Sequence, residues 1–308
     1  MMPPRFLPYL LLTLAVLFWS GNFVIGRGVH ELIPPIALSF WRWLIALIIL
    51  LPFAIRLAWQ ERRLIIEHGR FLWAQGALGV AGFNTLVYIG LQTTGTINAV
   101  VVNSTIPVII VFISYLIYGE RISLRQGLGG LISFLGVVWI ISRGAPADLF
   151  GLHANSGDLW VLAAAVTWAS YSVFLRHYPE GLHPLVFLLS IMVTGLICLV
   201  PFYAWEHWSG RTIQFDATTL LSILYVALFA SVLAFICWNR AVRWVGANRA
   251  GIFVHLMPVF ATILAIIFLD ERLQTYHLLG IVAVALGIAL TTWISSANKK
   301  LAAAETQD

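Results

Sequence analysis

About 20 consecutive apolar residues are needed for a helix to cross the roughly 30 Å hydrocarbon core of a bilayer. This chain supplies ten such runs in succession, at 8–26, 36–57, 71–91, 97–117, 126–142, 159–175, 184–205, 218–239, 250–269 and 275–295. Short polar stretches separate them, and none is long enough for a soluble domain. A water-facing alternative fails on composition. Only 10% of the 308 residues are charged and 60% are hydrophobic, with a mean hydropathy of +0.91. Soluble domains carry about 25% charged residues. A backbone in lipid must satisfy its own hydrogen bonds, so the expected fold is all-α, with ten transmembrane helices. The first run follows a lone Arg5 and has no small-residue cleavage site after it, so it reads as a permanent helix and not a signal peptide.

The net charge of +5 and pI near 9.5 do not point to nucleic acid, because the basic residues are dispersed instead of forming a patch. They alternate between the two sides of the membrane. One side collects thirteen: Arg5, Arg56, Arg62, Arg63, Arg70, Arg121, Arg125, Arg176, Arg240, Arg243, Arg249, Lys299 and Lys300. The other has four, Arg27, Arg143, Arg211 and Arg272, and Arg42 lies within a helix. The positive-inside rule then puts both termini in the cytoplasm, for a bacterial chain at the inner membrane. Cys198 and Cys237 both sit in apolar runs without disulfide or metal spacing, so they read as small core residues. Neither a cofactor nor a metal is expected.

The chain also repeats itself. At an offset of 149, Ala15 matches Ala164, Trp19 matches Trp168, Pro35 matches Pro184, and Pro52-Phe53 matches Pro201-Phe202. At 151, Gly95 matches Gly246, Pro107 matches Pro258, Glu120-Arg121 matches Glu271-Arg272, and Gly129 and Gly136 match Gly280 and Gly287. The repeats cover 8–142 and 159–295, followed by a cytoplasmic tail at 296–308. Five helices per repeat is an odd number, so the second must enter the membrane upside down. Inverted repeats are a common plan of secondary transporters, which hold solute between the halves near the midplane.

These residues resemble the drug/metabolite transporter superfamily, in its EamA-domain branch. The resemblance is carried by Trp19-Ser20-Gly21-Asn22-Phe23-Val24, Arg42, Pro107, Gly119-Glu120-Arg121, Gln126, Gly129 and Gly136. In the second half it rests on Pro258, Asp270-Glu271-Arg272, Gly280 and Gly287. It runs from about Leu10 to Thr292 and looks most like the YddG-type bacterial aromatic amino-acid exporters. The resemblance implies a ten-helix exporter of metabolites such as amino acids, with a cavity lined by helices one, three, four, six, eight and nine. The second half departs from the pattern. Ala169-Ser170-Tyr171 replaces Ser-Gly-Asn, and no arginine answers Arg42.

Candidate substrate-binding residues follow from polarity inside helices. Asn84, Tyr88 and Gln92 share a face at four-residue spacing, as do Ser231, Phe235 and Asn239, with Trp238 beside them. An amide facing lipid would leave donors and acceptors unmet, so these faces should point inward, to a cavity or to helix packing. Trp19 with Asn22, and Trp168 with Tyr171, form two aromatic-polar pairs on matching helices; interfacial belts are the competing use of tryptophan. Pro107 and Pro258 lack an N–H and should kink helices four and nine, baring carbonyls beside Asn103 and His255. Arg42 lies some six residues into its helix, about 9 Å deep. It could snorkel outward, bond to neighbours or capture a carboxylate. His255 reads as a core histidine or a proton sensor.

All thirteen acidic residues fall in loops, tails or helix ends, so no carboxylate proton relay is expected in the membrane. The chain contains neither H-E-x-x-H nor G-x-S-x-G, and an enzyme is not expected. A transporter of another solute class (a drug, nucleotide-sugar or other metabolite), or a lipid-handling or receptor-like membrane protein, is the competing reading. The expected partners are a small-molecule solute and membrane lipid, and the oligomeric state is left open, a monomer included. In a cysteine-free background, Glu67→Cys should label only from the cytoplasmic side and Gly151→Cys only from the other. Labelling of both from one side would refute the orientation.

Overall fold

The structure is a computed structural model describing residues 6–94, 96–147, 156–214, 216–268 and 274–292. The tail at 296–308, the Asp270-Glu271-Arg272 motif, and Arg5, Lys299 and Lys300 lie outside the described residues. Among the described residues every element is helical. The principal helices are α1 (Leu7–Gly26), α2 (Pro35–Gln60), α3 (Gly69–Thr93), α4 (Ala99–Tyr118), α5 (Leu124–Ile141), α6 (Ser156–His177), α7 (Pro184–Trp208) and α8 (Ala217–Val245). A ninth segment, α9, joins Ala247–Gly251, a 3-10 turn at Ile252–His255, and Leu256–Phe268; α10 is Thr275–Thr292. Nine helices among the described residues are long and apolar enough to cross a membrane, and each overlaps a predicted run. The segment expected at 250–269 corresponds to α9, which carries a 3-10 turn at Ile252–His255 and is not among the nine.

Burial is arranged for lipid as solvent. Ile48 and Phe53 of α2, Phe112 and Leu116 of α4, Leu131 of α5 and Val282 of α10 are exposed, while Arg42, Asn84, Ser133 and His255 are buried. Lipid tails give little hydrophobic drive between helices, so close packing and hydrogen bonds must hold them together. The α5–α10 contact shows the first. A Cβ on Gly129 would come 2.7 Å from the Gly287 carbonyl oxygen, and one on Gly136 would come 2.9 Å from that of Gly280. Only glycine permits this approach. The order of the contacts also shows that the two helices run antiparallel.

The α2–α7 pair shows the second. Helix α2 opens at Pro34-Pro35 with no side-chain cap of its own. Glu206, near the end of α7, supplies the missing acceptor: its carboxylate receives the N–H groups of Ile36 at 3.2 Å and Ala37 at 2.6 Å. In return Glu61, just past α2, accepts the N–H of His183 at 2.8 Å where α7 begins. Each helix end is capped by the other helix, and a negative group at an N-terminus also complements the helix dipole. The pair is antiparallel and fastened at both ends. Phe40 and Tyr203 stack between them with centroids 4.4 Å apart.

The irregular stretches also correspond. Wide π-helical turns occupy Gly76–Gly82 in α3 and Val226–Leu233 in α8. Helix α4 breaks at Ser104-Thr105 and α9 at Ile252–His255. Contacts exchange in the same way: α1 packs on α8 as α6 packs on α3, and α4 packs on α6 as α9 packs on α1.

Replacing Gly136 with valine should cost about 1–3 kcal/mol through overpacking at α10. Gly130→Val should cost little, since a Cβ there meets only the Ile252 Cδ1 at 3.9 Å. Thermal melting of the purified variants compares them; equal melting points would contradict the close-contact assignment.

Candidate functional site

A fully buried guanidinium is the feature around which the interior is built. Arg42 is fully buried and does not snorkel outward. Its Nε donates to the Ser231 hydroxyl at 2.9 Å. Its Nη1 donates to Tyr88 at 2.6 Å, to the Asn84 amide oxygen at 2.8 Å and to that of Asn22 at 3.3 Å. The Tyr88 hydroxyl in turn donates a hydrogen bond to Asn22 Oδ1 at 2.6 Å. Four helices, α1, α2, α3 and α8, thereby meet at one cation. The wide turn in α8 positions Ser231, whose hydroxyl donates five residues back to the Val226 carbonyl at 2.9 Å. The guanidinium also lies 5.1 Å from the centroid of the Trp43 ring.

Next to this cluster is a closed aromatic layer. Trp19 and Trp168, the repeat-matched pair, touch edge to face with centroids 4.9 Å apart. Trp238 packs on both, at 5.2 and 5.6 Å. Phe235 contacts Trp168 at 5.4 Å and Trp43 at 4.9 Å, and Phe83 closes on Trp168 at 4.9 Å. The Trp19 indole N–H is held by the Ala230 carbonyl at 3.0 Å, within the wide turn of α8.

Tyr171 bridges the layer to a second polar contact: its ring stacks on Trp168 and its hydroxyl donates to Asn239 Oδ1 at 2.7 Å. Asn22 and Tyr171 are repeat counterparts, as are Tyr88 and Asn239. The two hydrogen bonds are therefore the same contact with tyrosine and asparagine exchanged. Beyond Tyr171 a polar cavity of about 430 Å³ is lined by Glu120, Ser172, Arg176, Tyr178 and Arg243 among others. Arg176 bridges to Glu120 at 2.8 Å, and Arg243 lies over the Tyr178 ring at 3.6 Å. Burial pushes the Tyr178 phenol above its ordinary pKa, so it stays neutral and donates to the Leu182 carbonyl at 3.0 Å. Ser172 in the same lining accepts the Trp238 indole N–H at 3.2 Å, which joins this cavity to the aromatic layer.

Asn103, His255, Pro107 and Pro258 belong to a separate contact between the broken helices. His255 Nε2 lies 3.0 Å from the Ser104 carbonyl and Nδ1 2.9 Å from the Ser133 hydroxyl. A carbonyl only accepts, so Nε2 carries a proton, and in the neutral ring Nδ1 accepts a hydrogen bond from the Ser133 hydroxyl. The Ser104 carbonyl at the break is thus occupied by a histidine. Asn103 Nδ2 points to the Met257 sulfur at 3.3 Å. Gln92, expected on the face of Asn84 and Tyr88, instead lines a cavity of about 730 Å³ between α2, α3, α6 and α7. Trp43, Phe83 and the caps Glu61 and Glu206 were not singled out from sequence. The uncapped Pro34-Pro35 start was the available signal for an external carboxylate.

The sequence profile of the EamA-like transporter family matches residues 6–142 and again residues 155–293. Among the curated relatives, the uncharacterized transporter YetK of Bacillus subtilis (strain 168) is 29% identical, over 92% of this chain and 86% of its own. A probable amino-acid metabolite efflux pump of Salmonella typhimurium (strain LT2) is 26% identical, over 91% and 93% respectively. A solved crystal structure aligns with TM-score 0.74 at 19% identity, covering 92% of this chain and 96% of the other, which supports the fold alone.

Proposed function

The chain belongs to the EamA-like transporter family, and on that premise we propose that it exports small metabolites by alternating access between inverted repeats 8–142 and 159–295. Amino acids, aromatic ones included, are the favoured solutes. The setting is a bacterial inner membrane, with both termini cytoplasmic as the distribution of Lys and Arg favours. The antiparallel α2–α7 and α5–α10 pairs and the exchanged contacts support the inverted arrangement.

One observation carries the mechanism: the aromatic layer is flanked by two repeat-related hydrogen bonds, Tyr88 to Asn22 and Tyr171 to Asn239. In the conformation described both are made and the rings close on one another, as in an occluded state. Releasing one contact would open the layer to one side while the other stays shut. Solute would then part the Trp19, Trp168 and Trp238 rings and lie between them. The name of the Salmonella relative favours amino-acid efflux over other solute classes.

The test is counterflow in liposomes with a panel of amino acids and other metabolites. Trp19→Ala and Trp168→Ala should each lower flux about tenfold while folded protein remains in the membrane, as expected when an aromatic contact of roughly 1–2 kcal/mol is removed. Normal flux in both variants would remove the aromatic layer from the mechanism. His255, with both ring nitrogens engaged between the broken helices and away from the aromatic layer, further favours facilitated flux without proton coupling. Uphill accumulation driven by an imposed pH gradient would overturn that, and its loss in His255→Gln with counterflow intact would assign coupling to the histidine.

A further inference from the structure

Resting on the transport reading above, we propose that the solute is recognised through an anionic group, in practice a carboxylate, received at Arg42. A small carboxylate with a flat apolar body is then the substrate class, an α-ammonium is dispensable, and an amine lacking the acid is excluded.

The first reason is the charge. The Arg42 partners are a hydroxyl, two amide oxygens and a phenol, all neutral. A cation out of water is costly unless an opposite charge meets it. The second is the set of bonds left unmade. Arg42 Nη2, Asn84 Nδ2 and Trp43 Nε1 are buried and have no hydrogen-bond partner. All three are donors, and they belong to one group: Asn84 Oδ1 holds the guanidinium, which rests beside the Trp43 ring. The acceptors of the group are already engaged. Asn22 Oδ1 receives two donors, Asn84 Oδ1 receives Arg42, and the Ser231 and Tyr88 oxygens each accept from Arg42 while donating onward. A site with free donors, engaged acceptors and a positive charge selects anions and repels ammonium groups.

The acceptors that do lack partners among the described residues, Gln75 Oε1, Asn103 Oδ1 and Asn248 Oδ1, sit elsewhere, on side chains bonded to the Tyr171 carbonyl, the Met257 sulfur and Glu120. The body of the solute is set by what adjoins the cation. Trp43 packs edge-on against Phe235, which belongs to the aromatic layer. A carboxylate on Arg42 therefore directs an apolar body toward flat rings.

The test compares three probes of nearly one shape on the full chain: hydrocinnamate, its primary amide hydrocinnamamide, and phenethylamine. Thermal stabilisation in detergent and competition in liposome counterflow are both read. The acid should half-saturate at a concentration about tenfold or more below the amide and the amine, the worth of one charge-assisted hydrogen bond. Arg42→Gln should abolish that preference. Should that variant fail to fold, the acid–amide comparison on the parent protein decides alone. Equal responses to acid and amide, or preference for the amine, would overturn the inference while leaving transport standing. Failure of all three probes in both assays would overturn it too, and if no solute of any class is carried, the transport reading falls with it.

Discussion

A single guanidinium, held inside the membrane by neutral partners, determines how four helices meet. Arg42 cannot be left bare in hydrocarbon, so every helix in reach turns a polar side chain toward it: Asn22 from α1, Asn84 and Tyr88 from α3, Ser231 from α8. These side chains reach it because of local departures from ideal helix. Ser231 lies inside the wide turn of α8, and Asn84 lies just past the wide turn of α3, after Phe83. Such turns recur at functional sites because they re-aim side chains without ending the helix. The aromatic layer beside the charge then has fixed walls, with Trp43 joining the two regions.

Peripheral helices meet different demands. The reciprocal carboxylate caps of Glu61 and Glu206 fasten α2 against α7, and glycine contacts bring α5 against α10. Both pairs resist sliding, one through end caps and the other through backbone approach. The helices that carry the central residues have more irregular backbones: α3 and α8 widen, and α4 and α9 break. In a carrier working as proposed, movement would be absorbed at those stretches while the paired helices act as a frame.

Most of the helical layout was legible because bilayer thickness imposes a length that hydropathy reveals directly. The α9 break was foreshadowed by Pro258, yet its 3-10 form arises from contacts with α4 and α5 that no local pattern encodes. The polar faces of α3 and α8 were readable from four-residue spacing, but at 3.6 residues per turn each four-residue step rotates the face by about 40°, and Gln92, two steps from Asn84, lines a different cavity. Arg42 was visible as an anomaly. Its direction was not, since snorkelling and inward bonding differ by partners on distant helices. Trp43 escaped notice because one tryptophan among thirteen looks like an interfacial anchor until its neighbours are known.

The two exchanged tyrosine–asparagine contacts bear on the energy landscape. Each is a phenol donating to an amide oxygen, at 2.6 and 2.7 Å, so breaking either one forfeits nearly the same enthalpy. In a carrier working as proposed, bonds of similar length on the two faces would by themselves leave two open conformers close to degenerate. Arg42 breaks the tie. It reinforces the Tyr88–Asn22 contact with further hydrogen bonds and has no counterpart beside Tyr171–Asn239. In such a carrier the resting population would then tilt toward the conformer open on the Tyr171 side, until an anion arriving at the guanidinium competed for its donors and evened the balance.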